Sequence, residues 1–252
     1  MARVDYDRMA GAYAAGRALP PAGLEPWRAA ISRWLPEDRG GRPALDLGAG
    51  TGQFAAAIAG WFGGRVVAVE PSAGMRAQAA RTHPHPGVVL VGGRGERLPL
   101  RGGCCAWAWV STVVHHLDDP AATARELRRV VRPGGPVLVR QAFPGRLDGV
   151  TLYRRFFPGA ATIAVQLLPT LEQVSDSFAA AGFRVEALEG VTQVSAPSLA
   201  GYLDKVRLRA DTGLRLLPDQ EFAAGLAGLE RAAAAETTPT PVTDRLDLLV
   251  LR

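Results

Sequence analysis

The chain has 252 residues, 48% of them hydrophobic and 21% charged, with a formal charge of +5 and a pI near 9.8. That length can bury a sizeable single core; the only two cysteines, the adjacent Cys104 and Cys105, exclude a disulfide-stapled mini-protein, and no apolar run reaches the ~20 residues of a membrane span. The cations are almost all arginine, with Lys205 the single lysine, and Arg, Ala, Gly and Pro are abundant together, which reads as coding bias rather than as a surface for an anionic partner.

The opening MARVDYDRMAGAY carries acidic residues and lacks the apolar stretch of a secretory leader, so a cytoplasmic location is expected. From Val4 to Leu35, Met9, Tyr13, Leu24, Trp27, Ile31, Trp34 and Leu35 recur at helical spacing, broken by Pro20, Pro21 and Pro26, which predicts two short helices. Pro36 to Pro43 is a turn-rich connector into the short apolar strand Ala44 to Leu47, which stops at a glycine cluster. QFAAAIAGWF after Gly52 is helical in composition, and Arg65 to Glu70 is a β-branched run typical of a buried strand. A helix over Pro71 to Arg81, a stiff HPHP loop (His83 to Pro86) and strands at Val88 to Val91 and Ala106 to Ser111 follow. A helix over Ala121 to Val131, the turn Arg132 to Gly135 and a strand over Pro136 to Ala142 complete five cycles. Such alternation predicts βαβ crossovers, hence an α/β fold with a mostly parallel sheet covered on both faces. Beyond Phe143 the pattern changes: 144–181 reads as irregular helix, Phe183 to Val194 as a strand, Pro197 to Ala235 as two helices, and Leu246 to Leu251 as a last strand after the ETTPTP loop.

The most informative stretch is Leu45-Asp46-Leu47-Gly48-Ala49-Gly50-Thr51-Gly52, between a predicted strand and a predicted helix. Glycines there let the chain turn sharply and let a ligand approach the main chain, at the sheet edge where nucleotide-like ligands bind. Counted from Gly48, glycines stand at 1, 3 and 5 with Gln53 at 6, so the dinucleotide spacing fails. Glu70 ends the next strand 20 residues after Gly50 and offers two side-by-side acceptor oxygens, suited to the hydroxyls of an unmodified ribose.

This D-L-G-A-G-T-G segment, with Val69-Glu70-Pro71, G-E-R-L-P-L (Gly95 to Leu100), V-H-H-L (Val114 to Leu117) and R-P-G-G (Arg132 to Gly135), resembles class I S-adenosylmethionine-dependent methyltransferases of the ubiquinone/menaquinone-biosynthesis type. The likeness covers about residues 40–145, with a weaker N-terminal echo in Tyr6, Asp7 and Tyr13. It implies a Rossmann-like sheet of seven strands, one of them antiparallel, and a helical cap inserted after the fifth strand. The expected organisation is one domain over 1–252: lid helices at 1–40, a cofactor-binding core at 41–143, a substrate cap at 144–181 and 195–240, and final strands at 182–194 and 242–252.

The resemblance implies that S-adenosylmethionine lies over Gly48, Ala49 and Gly50, with Glu70 on its ribose and Met75 on the adenine side, and that Pro71, Arg94 and Gly95 also belong to the cofactor site. Gln53, Tyr13 and Arg17 are further cofactor candidates, Arg17 through the carboxylate, and Ser111 and Thr112 are expected at the sulfonium end. Where the family carries an acid for the adenine amino group this chain has Arg94, which has donors only, so adenine is expected to be read by stacking or by backbone atoms. His115 is the candidate general base, oriented by Gln141, which stands where relatives carry an acid and cannot stabilise an imidazolium by charge. His116, Arg154, Phe156 and Phe157 are candidates for touching the acceptor. His83 and His85 lack companions at ligand spacing, so no metal is expected.

The expected activity is methyl transfer to a small, partly apolar acceptor, by a monomer or homodimer that engages neither nucleic acid nor membrane. Two rivals share the fold. A cyclase or rearrangement enzyme would use the bound sulfonium as a fixed charge. A nucleic-acid methyltransferase would carry an Asn/Asp-Pro-Pro-Tyr/Phe motif where this chain reads Ser111-Thr112-Val113-Val114.

Overall fold

The computed structural model of the chain describes residues 6–146 and 151–252. Helices α1 (Tyr6–Arg17) and α2 (Pro21–Ser32) lead into β1 (Ala44–Leu47), α3 (Gln53–Phe62), β2 (Val66–Val69), α4 (Ala73–Thr82), β3 (Val88–Val91), β4 (Trp107–Ser111), α5 (Pro120–Val130) and β5 (Val137–Gln141). The segment expected as irregular helix forms α6 (Thr151–Phe156), α7 (Pro158–Leu167) and α8 (Leu171–Ala179); its residues 147–150, like 1–5 of the expected lid, lie outside the described residues. Strand β6 (Val185–Ala196), helices α9 (Leu199–Arg207), α10 (Thr212–Leu216) and α11 (Asp219–Ala234), and strand β7 (Val242–Leu251) complete the chain.

One seven-stranded sheet runs in the order β3-β2-β1-β4-β5-β7-β6, parallel except for β7, which is antiparallel to both its neighbours. The central strands β1 and β5 are buried at every position, because helices cover both faces and each residue needs an apolar neighbour. On one face Phe143, Phe178 and Phe183 pack with Leu127 of α5 and Val174 of α8. On the other, Trp27 and Ile31 of α2 and Ile58 of α3 meet Trp107 and Trp109 of β4. Among the described residues no helix is long and apolar enough to cross a membrane.

Residues 197–235 form three helices where two were expected. Asp211 accepts from the Gly213 amide (2.9 Å) and so starts the short α10, and Pro218 then ends that turn and precedes α11. The cap has its own core of Phe157, Ala160, Leu214, Leu217, Phe222 and Leu229. Gly225 of α11 lets that core close: a Cβ there would strike the Phe156 carbonyl and the Phe157 ring. Gly225→Ala is therefore expected to lower the Tm by roughly 5 °C, as overpacking of a core does, which thermal denaturation would measure.

The sheet's C-terminal edge is roofed by the N-terminal helices and the cap. Asp7 of α1 accepts from the Ser72 hydroxyl (2.6 Å) and the Gly74 amide (2.8 Å), fixing α1 to the start of α4. Leu19, between α1 and α2, exchanges two hydrogen bonds with the Gln53 side chain at the start of α3 (3.0 and 2.9 Å).

Candidate functional site

The chain leaves β1 through Gly48 (φ +68°) and Gly50 (φ +54°), left-handed conformations that cost glycine little. A side chain at Gly48 would collide with Val113, whereas a Cβ on Gly50 would meet nothing within 4 Å. The loop is thus packed from below and open above, a cradle for a ligand lying on its backbone. Glu70, just past β2, spans the loop's flank: one oxygen accepts from the Gly50 amide (3.0 Å) and the other from the Ser72 amide (2.9 Å). Burial raises its pKa, partly offset by those two donors.

Above the loop lies a cavity of about 260 Å³, bounded by the glycine loop, α1, the ends of β4 to β7 and the cap. Of the residues picked out in the sequence, Tyr13, Arg17, Gly48, Ala49, Gly50, Gln53, Ser111, Thr112 and Arg154 line it. Gln53 does so while its amide is committed to Leu19. Arg17 pairs with Asp211 (2.8 Å), which also accepts from the Tyr153 hydroxyl (2.6 Å). Burial pushes the Asp211 carboxyl up, but Arg17 and these donors hold it below its ordinary value. One acid thereby ties together α1, α6 and α10.

Asp46, in the middle of β1, also lines the cavity, with one carboxylate oxygen unbonded. Burial, reinforced by nearby Glu70, pushes its pKa up to about 7 from 3.8. A carboxylic acid whose pKa is raised by folding stabilises the fold most below the unfolded value, and that stability is lost as pH rises through the folded one. Asp46→Asn is therefore expected to melt roughly 5 °C above wild type at pH 8, with the difference gone at pH 4, in thermal melts across that range.

Other expected site residues lie elsewhere. Met75 is buried on the inner side of α4, and Arg94 sits at the surface in an ion pair with Asp118 (3.1 Å). Neither they nor Pro71 and Gly95 line the cavity. Phe157 is 1% exposed and stacks on Phe222 (centroids 5.8 Å apart), and Phe156 packs beside it against α11. Phe157 is thus committed to the cap's own core, and Phe156 is half-buried at its edge.

His115, the expected base, sits in the short turn after β4 within hydrogen-bond reach of Gln141, the residue expected to orient it. Adjacent strand residues face opposite sides of a sheet, so Arg140 of β5 lines the cavity while Gln141 does not, and His115 is set back with it. The His115 ring lies against that of His116 (centroids 3.9 Å apart), and its Nδ1 is buried without a partner. Burial, then His116 and Arg17, pull His115 down to about 3; burial, then Arg215, pulls His116 to about 4. At neutral pH both are uncharged and take up a proton poorly.

A polar cluster that the sequence did not announce forms the far wall. Gln193 of β6 accepts through one oxygen from Trp27 Nε1 (2.9 Å) and Arg140 (2.6 Å). Ser195 donates to Asp244 of β7, and the Lys205 ammonium of α9 donates to the carbonyls of Ser195 and Ala18 (both 2.7 Å). Burial lowers Lys205 to about 8 and Arg140 to about 9. Among the described residues no cluster of acids, histidines and cysteines could hold a metal ion.

Residues 45–139 match the family model described as a methyltransferase domain. An uncharacterized methyltransferase of Mycobacterium sp. (strain KMS) is 35% identical over 159 residues, covering 59% of this chain and 58% of that protein. The chain spans less than two thirds of the length of such curated relatives. A structure from Anabaena variabilis, described as a methyltransferase from an antibiotic biosynthesis pathway, superposes with a TM-score of 0.64 at 22% identity, over 88% of this chain and 96% of that one. The cyclase SpnF superposes with a TM-score of 0.62 at 20% identity, over 94% and 83%. The matched segment 45–139, which carries the glycine loop and Glu70 within the seven-stranded sheet, is a methyltransferase domain.

Proposed function

We propose that the protein transfers a methyl group from S-adenosylmethionine to a small-molecule acceptor held in the cavity above the glycine loop. The observation that carries this reading is Glu70 joined to the Gly50 amide (3.0 Å) beside an open left-handed glycine. Two fixed carboxylate oxygens suit the two hydroxyls of a ribose, and the bare Gly50 backbone leaves room for the chain beyond it. The cofactor supplies an electrophilic methyl group on a sulfonium. Asp46, with its unbonded oxygen, stands under the loop as an acceptor for a cationic or donor group.

The residues of this chain then have three tasks. The glycine loop and Glu70 position one reactant. The cap shapes the room for the other, apolar at Ala161, Ala164, Leu168, Val206 and Leu214 and polar at the β6–β7 wall. The α1 roof, held by Asp7 on α4 and by Arg17 on Asp211, keeps water from the space between. Orientation and water exclusion are the main contributions a protein makes to such a displacement.

Incubation with methyl-labelled S-adenosylmethionine and a small-molecule cell extract tests the reading. Label is expected in a small-molecule product, with S-adenosylhomocysteine released in equal amount. The same site could use a bound sulfonium as a fixed charge without consuming it. Product formation with all label retained in the cofactor would decide for it.

A further inference from the structure

We propose that the acceptor carries a negative charge, as a carboxylate or an ionised phenol or enol, and that Arg140 is the specificity-determining residue that receives it. The inference rests on the cofactor reading above and names the chemistry of the cavity's second occupant.

Strand register sets the order of groups along the sheet edge. Leu47 of β1 pairs with Val69 of β2 and Val110 of β4, and Ser111 pairs with Arg140 of β5. Glu70, Gly48, Ser111 and Arg140 therefore stand side by side, one per strand. At the usual strand spacing of ~4.8 Å, Arg140 lies roughly 14 Å from Glu70 and one strand past Ser111. A cofactor with its ribose at Glu70 and its methionine arm over Gly48 would lie along the same sheet edge, with Arg140 two strands beyond Gly48.

Arg140 lacks the partner its burial calls for. It is 5% exposed, wedged over the rings of Trp27 (4.9 Å) and Phe54 (5.3 Å). Its two hydrogen bonds go to neutral oxygens, Ser111 Oγ (3.1 Å) and Gln193 Oε1 (2.6 Å), and its Nε has no partner. Among the described residues no carboxylate reaches it at ion-pair distance. Asp244, which takes the Ser195 hydroxyl, attracts it only from beyond hydrogen-bond distance, and Arg17 adds repulsion. Burying a guanidinium without a counter-ion in contact is expensive, and a sulfonium bound along the same sheet edge would add a second like charge. An anion placed between the two resolves both conflicts, and a guanidinium with free donors matches an oxyanion in geometry.

Calorimetric affinities for S-adenosylmethionine and S-adenosylhomocysteine, which differ in the sulfonium charge, test this. Wild type is expected to bind S-adenosylhomocysteine roughly tenfold more tightly, the size of one like-charge contact in a partly shielded site. Acetate or benzoate should narrow that gap by tightening S-adenosylmethionine alone, while uncharged acetamide and benzamide should not. Arg140→Gln should close the gap and remove the response to the anions. Equal weakening of both cofactors in Arg140→Gln would overturn the proposal, since the guanidinium would then hold the cofactor's own carboxylate. An anion effect no larger than the amide effect in wild type would also overturn it, without depending on how the variant folds. Failure of wild type to bind S-adenosylhomocysteine at all would instead strike the cofactor reading.

Discussion

Glu70→Ala is expected to weaken binding of S-adenosylhomocysteine by roughly a hundredfold, the loss that follows when two hydrogen bonds to an ionised acceptor disappear. Glu70 also holds the Gly50 and Ser72 amides, so the variant loosens the loop as well as losing the ribose contact. A cycle with the 2′-deoxy ligand separates the two effects. If the carboxylate binds the hydroxyls, removing one hydroxyl should cost wild type about tenfold and cost Glu70→Ala almost nothing. If Glu70 only shapes the loop, the deoxy ligand should lose equally in both proteins. Glu70→Gln keeps one acceptor but turns an amide donor toward the loop's own donors, and should fall between wild type and alanine.

Trp109→Ala is expected to lower stability by about 3–5 kcal/mol, and the Tm by roughly 10 °C, because it empties the centre of one core face. Trp109 is fully buried on β4, edge-on to Trp27 (centroids 5.9 Å apart) and tilted against Phe54 (5.1 Å). Its indole Nε1 has no hydrogen-bond partner, so all its contribution is packing. Trp109→Phe should therefore cost much less, since it retains a ring and removes the unpaired donor. The same two neighbours carry the Arg140 guanidinium, so the alanine variant should also disturb the polar wall. Chemical denaturation of both variants measures the difference directly.

The parts of the fold written in local chemistry were legible from sequence. Strands at 44–47 and 88–91 fall where apolar runs end in turn residues, and the glycine loop with Glu70 could be read as a ligand cradle because both ends of that unit lie within one βαβ segment. What was not legible depends on strands far apart in the chain. Arg140, Gln193, Ser195, Asp244 and Lys205 come from β5, β6, β7 and α9, and only the order β5-β7-β6 brings them together. His115 and Gln141 stand within hydrogen-bond reach of each other, as their position in the chain suggests, but set back from the cavity. The alternation of β5 turns Arg140, not Gln141, into the cavity. Phe156 and Phe157 illustrate the same ambiguity in a cap: an apolar residue there can face a ligand or its own helices, and spacing alone does not distinguish them.

The most direct measurement is a calorimetric titration of the wild-type protein with S-adenosylhomocysteine, with NAD as comparator. Saturable one-to-one binding of S-adenosylhomocysteine, and none of NAD, is the expected result. Absence of saturable binding, or equal binding of the two ligands, would contradict a cofactor site built on Gly48, Gly50 and Glu70.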